Sequence, residues 1–251
     1  MSKIAADPSH PRYQSLILRH RLEEAENKGM LAGSAMIAHG RGEAFDYLLG
    51  EQTIPSALRA TQHALSLLLS AGKPLISLNG NSVALAGKEL LQLAHHLGCA
   101  VEVNIFYRTP ERMEVLLGHL NQINIQEGFE VEILGAEPDA RIPGLEGPRS
   151  HCVKRGIFDA DTILVPLEDG DRCEALMQMG KTVVVVDLNP LSRTAQMASV
   201  TLVDELTRVV SNMNEMCASP REVLPVSGYL NSETLANSLQ HIVEHFSDGG
   251  L

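Results

Sequence analysis

The chain has 251 residues, enough for a large core in one big domain or two small ones. Its 20 Lys and Arg against 31 Asp and Glu give a formal charge of −11, which argues against a general nucleic-acid-binding face but allows a local basic pocket. Hydrophobic content is 44% and charged content 20%, ordinary for a soluble globular protein; with no Trp and 4% aromatics, stacking platforms for single strands are disfavoured.

The four cysteines, Cys99, Cys152, Cys173 and Cys217, form no CxxC pair, against both a zinc site and a disulfide framework. The opening MSKIAADPSHPRY lacks the apolar core of a signal peptide, and no apolar run approaches the ~20 residues that span a bilayer. The expected location is a reducing cytoplasm.

In chain order, YQSLILRHRLEEAENK (13–28) predicts a helix ending near Gly29. HGRGE (39–43) sets an arginine between two glycines and reads as a turn that lets backbone approach a ligand. Residues 54–72 predict a helix, with Pro55 in its first turn and Gly72 at its end. Then strands and helices alternate. PLISLN (74–79) is a strand, 81–98 a helix, AVEVNIF (100–106) a strand, and 109–122 a helix with Thr109 as N-cap and Pro110 first. VEILG (131–135), TILVPLE (162–168), TVVVVDL (182–188) and SVTLVD (199–204) are further strands. Residues 171–180, 205–216 and 232–246 are helices, with a short helical turn near 192–198.

Apolar, β-branched strands alternating with helices imply a mostly parallel sheet covered on both faces, an α/β, Rossmann-like fold. The expected organisation is one domain over 1–251, with residues 1–50 as a helical cap and 218–251 as a helical tail. Residues 136–160 form a long loop, and loops of that length are often functional.

In open α/β sheets, ligands bind at the carboxyl ends of the strands. Polar residues recur at those ends here: Asn79-Gly80-Asn81, Tyr107-Arg108-Thr109, Glu168 to Arg172, Asn189 to Thr194, and Glu205. No strand is followed by GxGxxG, and there is no GxxxxGK[ST], so neither a standard dinucleotide site nor a standard P-loop is supported.

LEDGDR (167–172) suits a magnesium ion, through Glu168 and Asp169, alongside a bound phosphate; it equally suits an Asp-Gly turn with a self-paired Arg172. In DLNPLSRT (187–194), Asp187 can accept from ribose hydroxyls, and Arg193 and Thr194 open a helix where phosphate oxygens find donors. His39 is a candidate general acid, base or phosphate ligand. Arg12, Arg19, Arg41 and Arg108 in an acidic chain point to a substrate with more than one anionic group, unless each pairs with a nearby acid such as Glu43 or Asp46.

Together HPRYQSLILR, IAHGRGEAFDYLLGE, SLNGN, VEVNIFYRT, IPGLE, VPLEDGDR, EALMQMGK and DLNPLSRTAQMA resemble one family, the archaeal 4-phosphopantoate–β-alanine ligases, also called phosphopantothenate synthetases. The resemblance runs from about residue 10 to about residue 206. It implies a magnesium- and ATP-dependent enzyme of coenzyme A synthesis. Such an enzyme joins (R)-4-phosphopantoate to β-alanine through an acyl adenylate, releasing AMP and pyrophosphate, and a homodimer is expected. The family's ATP contacts map onto Arg19, Arg41, Asp187, Leu188, Asn189, Arg193, Thr194, Glu205 and Leu206. Glu205 stands where the family is expected to carry Asn, so a backbone contact is expected there rather than a side-chain one. The chemistry of the residues adds His39, Asn79, Arg108 and Arg172 near phosphopantoate, with Glu168 and Asp169 near metal. The alternatives are a non-catalytic nucleotide or phosphometabolite sensor, and an NAD-linked dehydrogenase, against which the missing glycine fingerprint counts.

Overall fold

The structure, a computed structural model, describes residues 7–10, 12–166 and 169–247. Two helices come first, α1 (Tyr13–Asn27) and α2 (Ala35–Leu48), then α3 (Pro55–Ser70). The alternating part follows as β1 (Pro74–Leu78), α4 (Gly80–Leu97), β2 (Ala100–Val103), α5 (Pro110–Glu127) and β3 (Ile133–Leu134). Two short strands, β4 (Ala140–Arg141) and β5 (His151–Cys152), precede β6 (Thr162–Pro166), α6 (Gly170–Gln178), β7 (Thr182–Val186), α7 (Arg193–Met197), β8 (Val200–Leu202), α8 (Leu206–Met216) and α9 (Asn231–Ser247).

Six strands form one parallel sheet in the order β3-β2-β1-β6-β7-β8, with β1 and β6 adjacent at the point where the order reverses. The α/β, Rossmann-like expectation therefore holds, with the N-terminal helices as a separate layer. Strand alternation divides the core. Ile76, Leu78, Leu164, Val184, Val186, Val200 and Leu202 face one cluster, with Leu90 and Leu91 of α4 and Val209 and Met213 of α8. Their neighbours Leu75, Ile163, Val165, Val183 and Val185 face the other, with Cys173 and Leu176 of α6. A third cluster joins Leu49, Ile54 and Ala57 to Leu188, Val203 and Leu235, fixing α3 and α9 near the ends of β7 and β8. Among the described residues, no helix is long and apolar enough to cross a membrane.

Three differences from the sequence expectation matter for the site. HGRGE is not a turn; it lies in mid-α2. Each glycine there costs about 1 kcal/mol of helix propensity relative to Ala. A Cβ at Gly42 would meet Leu188 Cδ1 at 3.4 Å, an ordinary contact, and one at Gly40 would face open space. Second, the strands are shorter at their carboxyl ends than their apolar runs imply. β2 stops at Val103, β7 at Val186 and β8 at Leu202, while residues 167–168 lie outside the described residues. The remainders, Ile105, Leu188 and Asp204 among them, leave the ladder to line a cavity. Third, 136–160 is a loop only in part. It holds the antiparallel β4–β5 pair, a 3-10 turn over Pro148–Ser150 and a π-type turn over Lys154–Phe158.

Candidate active site

A cavity of about 670 Å³ opens over the carboxyl ends of the sheet. Its floor is the switch point. Asn79, leaving β1, caps α4 through a reciprocal pair: its side chain accepts from Ser82 N at 2.9 Å, and Ser82 Oγ accepts from Asn79 N at 2.9 Å. Asn79 Nδ2 also donates to Pro166 O at 3.0 Å, tying β1 to β6. A capped helix thus stands where a dinucleotide enzyme carries its glycine loop. Asn81 Nδ2 donates to Ala35 O at 3.1 Å and anchors the start of α2 beside α4.

Helix α2 forms the wall. It lines the cavity along its length, from Ala35 through His39, Arg41, Gly42 and Glu43 to Asp46. At its far end Asp46 is only 6% exposed and pairs with Arg208 of α8, which also donates to Asp204 Oδ1 at 2.7 Å through Nε. Glu43 accepts from Arg19 Nε at 2.9 Å and from Arg12 at 3.3 Å, so Arg19 reaches the wall through that carboxylate. Arg41 lines the cavity, exposed, with no acid or carbonyl on its guanidinium among the described residues. His39 Nε2 is buried without a hydrogen-bond partner among the described residues. Burial pulls the imidazole below its ordinary value, against the opposing pull of Glu43 and Asp46. His39 is therefore neutral near pH 7: a proton acceptor, not the cation that a phosphate ligand would need.

The ends of β7 and β8 are stapled by their own side chains. Asp187 Oδ1 accepts from Asn189 N at 2.9 Å, and its other oxygen accepts from Ser192 Oγ, which in turn accepts from Ala195 N at 2.9 Å as the N-cap of α7. Asn189 Oδ1 accepts from Leu191 N at 2.9 Å. Burial raises Asp187 above the ordinary carboxylate range, and those two donors lower it. Glu205 caps α8 by accepting from Thr207 N at 2.7 Å. That use commits its side chain to capping the helix, and both Glu205 and Leu206 line the cavity.

Of the sequence-derived candidates, the cavity brings together His39, Arg41, Asn79, Asp169, Asp187, Leu188, Asn189, Thr194, Glu205 and Leu206. Four arginines lie outside its lining: Arg19, which meets it only through Glu43, and Arg108, Arg172 and Arg193. Arg108 donates to Gly135 O at 2.6 Å and Ala136 O at 3.2 Å, so its neighbour Tyr107 faces the cavity instead. Arg172, 1% exposed, donates to Ser77 Oγ at 3.0 Å and braces α6 against β1. Arg193 pairs with Asp171 and Glu174 of α6 on the outer surface. Glu168 lies outside the described residues.

Sequence reasoning missed Arg112 and Arg149, which both line the cavity. Arg149 is 7% exposed; its Nε donates to Asn104 Oδ1 at 3.3 Å and its Nη1 to Asp169 Oδ2 at 2.8 Å. The signal available was its position in the long loop. Among the described residues, no three His, Cys, Asp or Glu side chains converge as a metal cage. Asp169, with a half-exposed carboxylate at the cavity, fits instead as a single protein ligand to a magnesium ion carried by nucleotide phosphates.

The profile of the phosphopantothenate/pantothenate synthetase family matches residues 56–245. Two relatives named 4-phosphopantoate–β-alanine ligase come from Thermococcus kodakarensis and Methanosarcina mazei. The first is 50% identical over 240 residues, covering 93% of this chain and 90% of its own. The second is 43% identical over 242 residues, covering 94% and 93%. A third of the same name, from Thermococcus onnurineus, is 44% identical over 252 residues, covering 97% and 95%.

Proposed function

The chain belongs to the phosphopantothenate/pantothenate synthetase family, and from that premise we propose that it joins (R)-4-phosphopantoate to β-alanine in coenzyme A synthesis, driven by ATP cleavage to AMP and pyrophosphate. The observation that carries the proposal is the likeness to relatives named as this ligase over nine-tenths of both chains. A cavity at the sheet's carboxyl ends, the place such a fold offers a nucleotide and a second substrate, supports it.

Two displacements follow from the chemistry. A carboxylate oxygen of phosphopantoate attacks the α-phosphorus, the bond to the β-phosphate oxygen breaks, and pyrophosphate leaves. The amine of β-alanine then attacks the acyl carbon, and AMP leaves with the electron pair of the broken C–O bond. The nucleotide lies along Asp187 to Asn189 and the backbone of 205–206. Asp187, already holding Ser192 and Asn189, orients toward ribose hydroxyls. Arg41, with no acid on its guanidinium among the described residues, faces the phosphates, where its planar guanidinium can grip two oxygens. His39, neutral and with Nε2 unpartnered among the described residues, takes the proton that β-alanine's ammonium must lose before it attacks. Magnesium, when bound, neutralises phosphate charge, with Asp169 its protein ligand. The same reading carries a homodimer in the cytoplasm.

The decisive assay follows AMP with ATP, 4-phosphopantoate and β-alanine. AMP that appears only with both substrates supports the ligase. ATP binding without turnover would replace it with the sensor.

A further inference from the structure

A second cavity, of about 360 Å³, lies apart from the first, and no residue lines both. It is a groove between the first turns of α3, with Ile54 and Arg59, and one stripe of α9, where Glu233, Asn237, Gln240 and Glu244 follow one another at helical spacing. The walls are fixed from beneath. Ile54 and Ala57 of α3 pack with Leu235 of α9 in the third core cluster, and Asn231, at the start of α9, donates to Ala195 O at 2.8 Å. Tyr229, also in the lining, stacks on His63 of α3 with ring centroids 4.3 Å apart. The groove is therefore preformed, and its volume lies at the small end of the roughly 300–1,000 Å³ that hold small ligands.

The fold leaves three polar groups in this groove unanswered. Among the described residues, Arg59 has no acid or carbonyl on its guanidinium, and Glu233 has no donor on its carboxylate. The two line one groove without closing on each other. The other acid, Glu244, already accepts from Gln240 Nε2 at 2.9 Å. His241 Nε2 is buried with no hydrogen-bond partner among the described residues, a position that a bound polar group would satisfy. A cation and an acid that share a groove and do not pair suit a ligand carrying both charges. Its carboxylate would meet the two parallel N–H groups of Arg59, and its ammonium would meet Glu233. A ligand with a single charge would answer only one of them. We infer that the groove between α3 and α9 is a binding site for a small zwitterionic amino acid, separate from the catalytic cavity. The inference goes beyond the ligase reading and does not rest on it.

Saturation-transfer NMR on the full chain tests this with glycine, L-alanine and 4-aminobutyrate, which set the two charges at different separations. β-Alanine is kept out of the panel, because the ligase reading gives it a place in the other cavity. At least one of the three is expected to bind. Arg59→Gln and Glu233→Gln are each expected to weaken it about tenfold or more, the scale of one charged hydrogen bond. Both side chains are exposed, so both variants should fold, and their calorimetric affinity for a non-hydrolysable ATP analogue should stay within about twofold of wild type. Propionate and ethylamine, each with one of the two charges, should bind about tenfold more weakly than the zwitterion. The inference is overturned if none of the three amino acids binds, or if binding survives both substitutions. It is also overturned if either single-charge analogue binds as tightly, or if nucleotide affinity falls in parallel.

Discussion

Arg208 joins Asp204 to Asp46: its Nε donates to Asp204 Oδ1 at 2.7 Å, and its other arm grips Asp46 on α2. Asp204 lies two residues beyond β8 and Asp46 near the end of α2, so one guanidinium fastens the helical layer to the sheet at the edge of the cavity. Both acids are nearly inaccessible, at 1% and 6% exposed. Arg208→Met is expected to cost about 3–5 kcal/mol of stability, because it strands two buried carboxylates. Urea denaturation checks the cost, and a loss below about 1 kcal/mol would mean that water reaches the pair. The variant should also raise the KM for ATP, since the wall is no longer fixed.

Arg41 makes a contrasting case. Its side chain is exposed and bonds to no other side chain among the described residues, so Arg41→Lys should change stability by no more than about 0.5 kcal/mol. Turnover should fall at least about tenfold, because an ammonium cannot grip two phosphate oxygens at once. A thermal melt beside steady-state kinetics separates the two. Near-normal activity would remove Arg41 from the mechanism.

For His39 the sign follows from burial. Its pKa lies below the usual 6.5, so the neutral base is present above that lowered value and lost as pH falls through it. The acidic limb of kcat/KM for β-alanine should therefore lie below pH 6.5, and His39→Asn should abolish it while leaving ATP binding intact. A limb that survives the substitution belongs to another group.

Glu102, fully buried on β2, accepts from Val153 N at 2.9 Å and Ile157 N at 2.8 Å, and so pins the segment that follows Arg149. Desolvation outweighs those donors and pushes its pKa from 4.5 up to about 7. Because the folded value is the higher, the folded state binds more protons between the two. The stability this group contributes is therefore complete below pH 4.5 and lost as pH rises through about 7. Chemical denaturation across that range should show wild type losing stability relative to Glu102→Gln as pH rises. Gly156 makes a companion test: a Cβ there would lie 2.1 Å from Glu102 Oε2, so Gly156→Ala should destabilise the segment strongly.

The amino-acid sequence by itself determined the order of elements, the parallel sheet and the strand ends at which a site must form. Apolar β-branched runs, Thr109-Pro110 and the glycines after helices act locally, within a turn or two of chain. It also announced DLNPLSRT, whose Asp187 and Asn189 do staple the β7 loop. Three things were decided only in three dimensions. HGRGE lies inside α2, beside Leu188 from the end of β7, where glycine spacing alone reads as a turn. Arg108, Arg172 and Arg193 carry the same charge as Arg41, but neighbours distant in sequence take up their donors: the carbonyls of Gly135 and Ala136, Ser77, and the acids of α6. Arg149 reaches the cavity because Asn104, 45 residues earlier, and Asp169, 20 residues later, meet it there. Which cation faces a ligand depends on which acceptors the fold brings within reach of it, and residue type and spacing do not carry that information.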